Sequence, residues 1–156
     1  MIYTGIGSRS TPTDILTGFV TLAKFYAEEG HTLRTGGAKG ADSAFQSGCF
    51  MGGGELELYL PWPGFEGRKA PTLESPQYEA YAIAAQFHPA WHRLSKGARR
   101  LHARNVHQIL GRDVTNPVLS DLVVCWTPEG SGSGGTGQAL RMAHHYGIKV
   151  IDFGKA

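Results

Sequence analysis

The segment RTGGAKGADSAF, residues 34–45, decides the fold because it joins a predicted strand to a predicted helix through a glycine-rich turn. Gly36, Gly37 and Gly40 lie in this turn, and Asp42 stands where the helix begins. Such a turn presents unpaired backbone N–H groups at the positive end of a helix dipole, which suits a phosphate. The segment is either a tight turn or a phosphate-binding loop, and the remaining sequence has to distinguish the two.

The order of strand, turn and helix recurs along the 156 residues. The predicted strands are residues 2–6, 31–35, 56–60, 122–126 and 148–152. The predicted helices run from Thr11 to Gly30 and over residues 41–50, 76–87, 97–111 and 135–146. Strands separated by helices form right-handed crossovers, which give a mostly parallel sheet. We predict an α/β Rossmann-like three-layer sandwich with helices on both faces of the sheet. It is a single domain of residues 1–156, with a helical insertion at about residues 70–112.

The distribution of charge carries more information than the net charge of +2, which is too small to indicate a nucleic acid partner. Between Arg93 and Arg112 there are six Lys or Arg and no acidic residue. Such a stretch is either a solvated helix face or a surface that faces an anion. The sequence leaves both interpretations open.

The cysteines and the hydropathy predict a cytoplasmic protein. Cys49 and Cys125 lack C-x-x-C spacing and lie in apolar runs, which is typical of buried free thiols in a reducing compartment. The N-terminus MIYTGIGSRS has no secretion signal, and no apolar run is long enough to span a membrane. We therefore expect no membrane association.

Four glycine-bearing loops follow predicted strands, at residues 5–10, 35–40, 60–68 and 127–137. The carboxyl ends of parallel strands lie along one edge of an open sheet, where ligands bind. Because all four loops fall on that edge, they favour a phosphate-binding site over a set of unrelated turns.

The two common phosphate motifs are absent. Lys39 precedes Gly40, so the loop lacks the G-x-x-x-x-G-K-[ST] order of a Walker nucleotidase. In GIGSRS, Ser10 replaces the third glycine of G-x-G-x-x-G, and the acidic residues about 20 positions on, Glu28 and Glu29, close a helix and do not end a strand. These departures argue against an NAD(P) dehydrogenase, and we predict no cofactor.

Several short motifs, in this order, resemble the SLOG superfamily. They are Gly7-Ser8-Arg9, GGAKGAD at residues 36–42, Arg104-Asn105, SDLVV at residues 120–124 and GGTG at residues 134–137. The resemblance covers nearly the whole chain and is closest to the YspA-like and DprA/Smf branches, which are related to the LOG phosphoribohydrolases. It implies a Rossmann-like fold that binds a nucleotide-derived ligand, frequently as a homo-oligomer.

The resemblance and the chemistry of the loops together give a set of predicted ligand-binding residues. Gly7, Ser8 and Arg9 are expected beside the ligand, and the second loop is expected under a phosphate or ribose. The last loop would hold a second phosphate. The full set is Gly7, Ser8, Arg9, Gly36, Gly37, Ala38, Gly40, Asp42, Trp62, Arg100, Arg104, Asn105, Gly134, Gly135, Thr136 and Gly137.

Each side chain in this set also has a structural interpretation. Asp42 either accepts from ribose hydroxyls or complements a helix N-terminus. Thr136 either donates to a phosphate or caps its helix. Arg100 and Arg104, four residues apart on one helix face, either bind an anion or are solvated, and Asn105 is expected to bond a base or ribose. Trp62 either stacks on a base or packs against its neighbours.

The sequence departs from the LOG enzymes at the position that bears on catalysis. Their P-G-G-x-G-T-x-x-E motif corresponds here to SGSGGTGQA, so Ala139 occupies the glutamate position, next to Gln138. Neither residue acts as a general acid or base. Asp42 and Glu129 are the possible substitutes, and no histidine spacing matches a metal site.

Three functions follow from the sequence. The first is binding of a phosphorylated nucleotide-derived small molecule, as a sensor or a sequestering protein. The second is nucleotide N-glycosidase activity that uses Asp42 or Glu129. The third is single-stranded DNA binding of the DprA type, which is weakened because other domains usually accompany this fold in DprA.

Overall fold

A computed structural model describes residues 1–155 and contains five strands and five α-helices within them. The strands are β1 (Ile2–Gly5), β2 (Thr32–Thr35), β3 (Glu55–Leu58), β4 (Leu122–Cys125) and β5 (Lys149–Asp152). The α-helices are α1 (Thr13–Glu28), α2 (Ala41–Met51), α3 (Tyr78–Gln86), α4 (Lys96–Leu110) and α5 (Gly135–His145). Every predicted strand and helix is present, and the bounds differ by a few residues at most.

The sheet is parallel throughout, in the order β3-β2-β1-β4-β5. The chain builds outward from β1 through β2 to β3, and then returns to place β4 on the other side of β1. The strand order therefore reverses between β1 and β4. In a parallel α/β sheet this switch point leaves a crevice at the carboxyl ends of the strands, because neighbouring loops turn to opposite faces.

Two apolar layers cover the sheet. One joins α1 and α2 to one face through Phe19 and Phe45, whose rings stack with their centroids 4.3 Å apart. The other joins α3, α4 and α5 to the opposite face, with Val106 of α4 and Val123 of β4 fully buried. The predicted three-layer Rossmann-like sandwich is therefore confirmed.

The segment between β3 and β4 contains the helices of the predicted insertion. A short 3-10 helix, Trp91–Arg93, lies between α3 and α4. Helix α4 then begins after Ser95, whose hydroxyl accepts a hydrogen bond from the Ala98 N–H at 3.1 Å, as an N-cap residue does. Helix α4 packs on the sheet and α3 packs on α4, so the carboxyl-terminal half of α4 is buried.

Two further sequence predictions concern thiols and membranes. Cys49 and Cys125 are buried and unpaired. Among the helices of residues 1–155, none has the length and apolar character required to cross a bilayer.

Candidate functional site

A cleft of about 520 Å³ opens at the carboxyl edge of the sheet, over the switch point between β1 and β4. All four glycine-bearing loops contribute to its walls, and helix α4 closes one side. The lining residues are Ile6, Gly7, Ser8, Arg9, Ala38, Asp42, Phe65, Ala98, Leu101, His102, Arg104, Asn105, Gln108, Pro128, Ser133, Gly134, Gly135 and Thr136.

The loops after β1 and β2 interlock through two glycines. Gly40 has φ +85°, and a Cβ there would lie 2.9 Å from the Ser8 carbonyl oxygen. A Cβ on Gly7 would lie 2.7 Å from the Cβ of Ala41. Both distances are too short for any side chain, so glycine is required where the loops cross. Gly40 contributes by holding the loops together, and it does not itself line the cleft.

Arg104 is buried, with 6% of its surface exposed, and it supports the loop after β2. Its guanidinium donates to the carbonyl oxygen of Gly36 and, at 3.4 Å, to that of Tyr59. Its Nε donates to Oδ1 of Asn105 at 2.9 Å, and Nδ2 of Asn105 donates to the carbonyl oxygen of Gly135 at 3.1 Å. The Arg104-Asn105 pair thus connects the β2–α2 loop to the β4–α5 loop.

Asp42 is the buried carboxylate of the cleft, with 4% of its surface exposed. Burial raises its pKa to about 6, against the opposing effect of the Arg104 guanidinium and of the backbone N–H groups of Ala38, Gly36 and Gly7. The Ala38 N–H donates to Oδ2 at 3.3 Å. Asp42 therefore complements the loop that leads into α2, and it also forms part of the cleft surface.

The loop before α5 presents a run of backbone N–H groups. Thr127 anchors the base of this loop, because its N–H donates to Asp152 at 3.0 Å and its hydroxyl accepts from the Gly132 N–H at 3.0 Å. Beyond that point, the N–H groups of Ser133–Thr136 have no hydrogen-bond partner among residues 1–155. They begin a helix whose dipole is positive at this end, which suits an anion.

The aromatic side chain in the wall of the cleft is Phe65, which belongs to the loop after β3. Trp62, predicted as a stacking platform, does not line the cleft. Its ring packs edge-on against Phe65, with the centroids 5.2 Å apart, so it supports the wall from behind. Leu101 and Ala98 of α4 extend the apolar surface.

Two cations at the rim of the cleft meet a single carboxylate. The Arg9 guanidinium is 3.4 Å from the carboxylate of Glu66, and the Lys39 ammonium is 3.8 Å from it. The Arg9 side chain is 62% exposed, so it can move toward a ligand without breaking a buried contact.

Three polar residues of the cleft, His102, Gln108 and Ser133, were not predicted from the sequence. His102 and Gln108 lie three residues before and three residues after Asn105 on one face of α4, and this spacing would have identified them. Nδ1 of His102 lies 3.3 Å from Oε1 of the buried Gln138. Burial lowers the pKa of His102, and the nearby His88, Arg141 and Arg104 lower it further, while the bond to Gln138 raises it. The imidazole is therefore neutral at neutral pH.

Ten of the sixteen predicted binding residues meet in the cleft. They are Gly7, Ser8, Arg9, Ala38, Asp42, Arg104, Asn105, Gly134, Gly135 and Thr136. The other six, which do not line it, are Gly36, Gly37, Gly40, Trp62, Arg100 and Gly137. Arg100 is exposed to solvent while Arg104, one turn later, points inward. Gly137 approaches the backbone so closely that a Cβ would lie 2.3 Å from the Gly132 carbonyl oxygen.

Of the positions considered for catalysis, Asp42 lines the cleft, and Ala139 and Glu129 do not. Ala139 is fully buried in the core beside α4, and Glu129 lies exposed outside the lining of the cleft. Among residues 1–155, no group of three or more His, Cys, Asp or Glu is arranged to hold a metal ion. Apart from Arg104, the titratable groups that line the cleft and have a shifted pKa are Asp42 and His102.

Fold and cleft together define a Rossmann-like α/β domain with a ligand crevice at its topological switch point. No family model and no curated protein matches the chain. Among solved structures, its fold is similar to the X-ray structure of DNA processing protein A (DprA) from Streptococcus pneumoniae, with a TM-score of 0.57 and 15% sequence identity. The similarity covers 97% of this chain and 49% of the DprA chain, so the chain spans about half the length of that protein. This neighbour is a DprA, and the similarity to it is one of fold.

Proposed function

We propose that the protein binds a phosphorylated nucleotide-derived small molecule in the cleft, as a sensor or a sequestering protein. The ligand class comprises nucleotides, ADP-ribose-like molecules and cyclic nucleotide signals. The observation that carries the proposal is the run of unpartnered N–H groups at Ser133–Thr136, which begins α5 within a cleft at the switch point. A phosphate there would accept from several backbone donors at once.

The two walls of the cleft suit the two ends of such a ligand. Phe65 and Leu101 offer an apolar surface for the base, while Ser8, Thr136 and the exposed guanidinium of Arg9 offer donors for a phosphate. The other large cation of the cleft, Arg104, already donates to two carbonyl oxygens, so its function is to hold the loops. The carboxylate that the cleft presents is that of Asp42, whose Oδ2 accepts from the Ala38 N–H, while Glu129 lies outside the lining, so we propose binding as the function and test turnover separately.

Titration calorimetry tests the proposal directly. The protein is titrated with nucleoside mono-, di- and triphosphates, ADP-ribose and cyclic nucleotides, and we expect at least one to bind with a Kd below about 1 mM. Analysis of the ligand after incubation measures any released base, which would indicate glycosidase activity. Light scattering of the same samples tests the prediction of a homo-oligomer. If no compound binds, the proposal is wrong.

One backbone N–H can be removed without breaking the helix. Gly135 is the first residue of α5, where proline is tolerated, and a Cβ there meets nothing within 4 Å. Gly135→Pro deletes the donor, whereas Gly135→Ala keeps it and serves as the matched control. Because a hydrogen bond to a charged group is worth about 1.5–3 kcal/mol, we expect Gly135→Pro to weaken binding by roughly tenfold or more and Gly135→Ala to change it little. Equal affinities of the two variants would contradict a phosphate at this position.

Single-stranded DNA binding is the second candidate function, and two observations favour it. The structural neighbour DprA is a DNA processing protein, and the exposed Arg93, Lys96 and Arg100 lie around the beginning of α4, beside the wall of the cleft. This function predicts affinity that rises with oligonucleotide length and falls steeply with salt, because released counterions drive binding. Affinity that is independent of length would exclude it.

A further inference from the structure

The side chain of Gln108 ends in the cleft with its hydrogen-bonding capacity unused. Gln108 is 2% exposed and lines the cleft, yet within residues 1–155 its side-chain amide has no hydrogen-bond partner. Its backbone carbonyl, by contrast, accepts from the hydroxyls of Thr4 and Ser120. The amide nitrogen and oxygen keep contact with the open cleft, so they are available to a ligand.

Asp42 and Gln108 lie on either side of Gly36. A Cβ built on Gly36 would lie 2.3 Å from Nε2 of Gln108, so the amide is in close contact with this glycine. The backbone N–H of Gly36 is one of the donors that face the carboxylate of Asp42. Both side chains line the cleft and both are more than nine-tenths buried. The floor of the cleft therefore presents a carboxylate, an amide oxygen and an amide NH₂ close together.

We propose that this floor binds the vicinal 2′- and 3′-hydroxyls of a ribose, so that the cleft selects ribonucleotides over 2′-deoxyribonucleotides. Each hydroxyl both donates and accepts. One hydroxyl donates to Asp42, and the other donates to the amide oxygen of Gln108 or accepts from its NH₂. This inference rests on the proposed function, since it assigns the sugar of the same ligand.

A deoxyribose would leave one of these buried groups unpaired. A site built to hydrogen-bond a hydroxyl rejects an analogue that lacks it, because the polar groups of the site then lose water without gaining a partner. Selection of ribose also separates the two candidate functions, since DNA has no 2′-hydroxyl.

The experiment compares the four 5′-ribonucleoside monophosphates with their 2′-deoxy counterparts by titration calorimetry. We expect the ribonucleotide of the preferred base to bind about tenfold or more tightly than its 2′-deoxy form. Equal affinities within a pair would overturn the inference and leave the proposed function standing. Binding of neither form of any base would instead count against the proposed function.

A variant of Gln108 separates a ligand contact from a structural role. Gln108→Met keeps the length of the side chain and removes the amide, so we expect the thermal midpoint of the free protein to stay the same or rise. We expect the affinity for the ribonucleotide to fall at least about fivefold, which brings the ratio of ribose to deoxyribose affinity toward one. A lower midpoint with unchanged affinity would show that Gln108 is structural and would overturn the inference.

Gln46 supplies the matched control. It lies on α2 outside the cleft, and its Oε1 is buried without a partner. Gln46→Met is expected to change the thermal midpoint without changing the ratio of ribose to deoxyribose affinity. A change in that ratio as large as in Gln108→Met would show that the effect is general to the fold, and the inference would be wrong.

Discussion

Among single residues, Asp42 has a titration that should be visible in the stability of the whole protein. Its pKa is about 6 in the folded state and 3.8 in the absence of the fold. Between these values the folded protein keeps a proton that the unfolded chain has lost. The protonated carboxyl therefore stabilises the fold at pH below about 4, and this contribution is lost as the pH rises through about 6.

We predict that the free energy of unfolding, measured by urea denaturation, decreases over this pH interval through Asp42. At about 1.4 kcal/mol per pKa unit, the decrease is at most about 3 kcal/mol. The lowered pKa of Asp113, caused by its bonds to Gln77 and Thr115, acts in the opposite direction and at lower pH, below about 4. The difference between the wild type and Asp42→Asn isolates the effect. A difference that does not vary with pH would contradict the prediction.

Among the elements, the loops at the carboxyl edge depend on α4 for their positions. Arg104 contacts the loop after β2, Asn105 contacts the loop before α5, and both residues belong to one turn of the helix. The guanidinium also lies over the ring of Phe65, 5.6 Å from its centroid. A change in Arg104 should therefore affect three walls of the cleft together.

We predict that Arg104→Met destabilises the fold by about 3–5 kcal/mol, because it leaves the Gly36 carbonyl without its donor and removes the positive charge near the buried Asp42 carboxylate. Arg104→Lys keeps the charge and should therefore cost less stability than Arg104→Met. It should still cost some, because an ammonium cannot reproduce the planar fork of donors. Arg100→Met, one turn earlier and exposed, is the control and should stay within about 0.5 kcal/mol of the wild type. Denaturant unfolding measures all three, and hydrogen exchange of residues 36–42 reports the loop. Similar effects at Arg100 and Arg104 would contradict the assigned role.

The elements were predictable from sequence because hydrophobic periodicity and glycine positions are local signals. The buried run of β4 and the amphipathic spacing of α1 each identify an element without knowledge of its neighbours. The direction of a long polar side chain is not local. Arg104 points inward because carbonyl oxygens of a loop distant in sequence accept from it, and no pattern within α4 indicates this. Gln108, by contrast, lies three residues after the predicted Asn105, so its spacing would have indicated it, and Trp62 was assigned a surface that Phe65 occupies.

In the molecule as a whole, Arg34 links the sheet to the layer that contains α4. It is a residue of β2 with 2% of its surface exposed, and its Nε donates to Glu57 of β3 at 3.0 Å. Its Nη1 donates to carbonyl oxygens of α4 and of the segment before β4, at 3.3 Å from Ile109 and 2.6 Å from Val118. One guanidinium thus joins two strands to the crossover that returns the chain to the switch point.

We predict that Arg34→Met destabilises the protein by about 3–5 kcal/mol, because the carbonyl oxygens of Ile109 and Val118 and the hydroxyl of Ser120 each lose a donor and the Glu57 carboxylate loses its counter-charge. This is a large part of the roughly 5–15 kcal/mol that stabilises a typical domain, so the variant should unfold at much lower urea concentration. Glu57→Gln is the control, since its amide oxygen still accepts from Arg34 and from the Tyr59 hydroxyl, and Glu57 is partly exposed. We expect it to cost about 1–2 kcal/mol. If both variants lost the same stability, the ion pair alone would account for the effect, and the carbonyl contacts that connect the crossover to the sheet would contribute nothing.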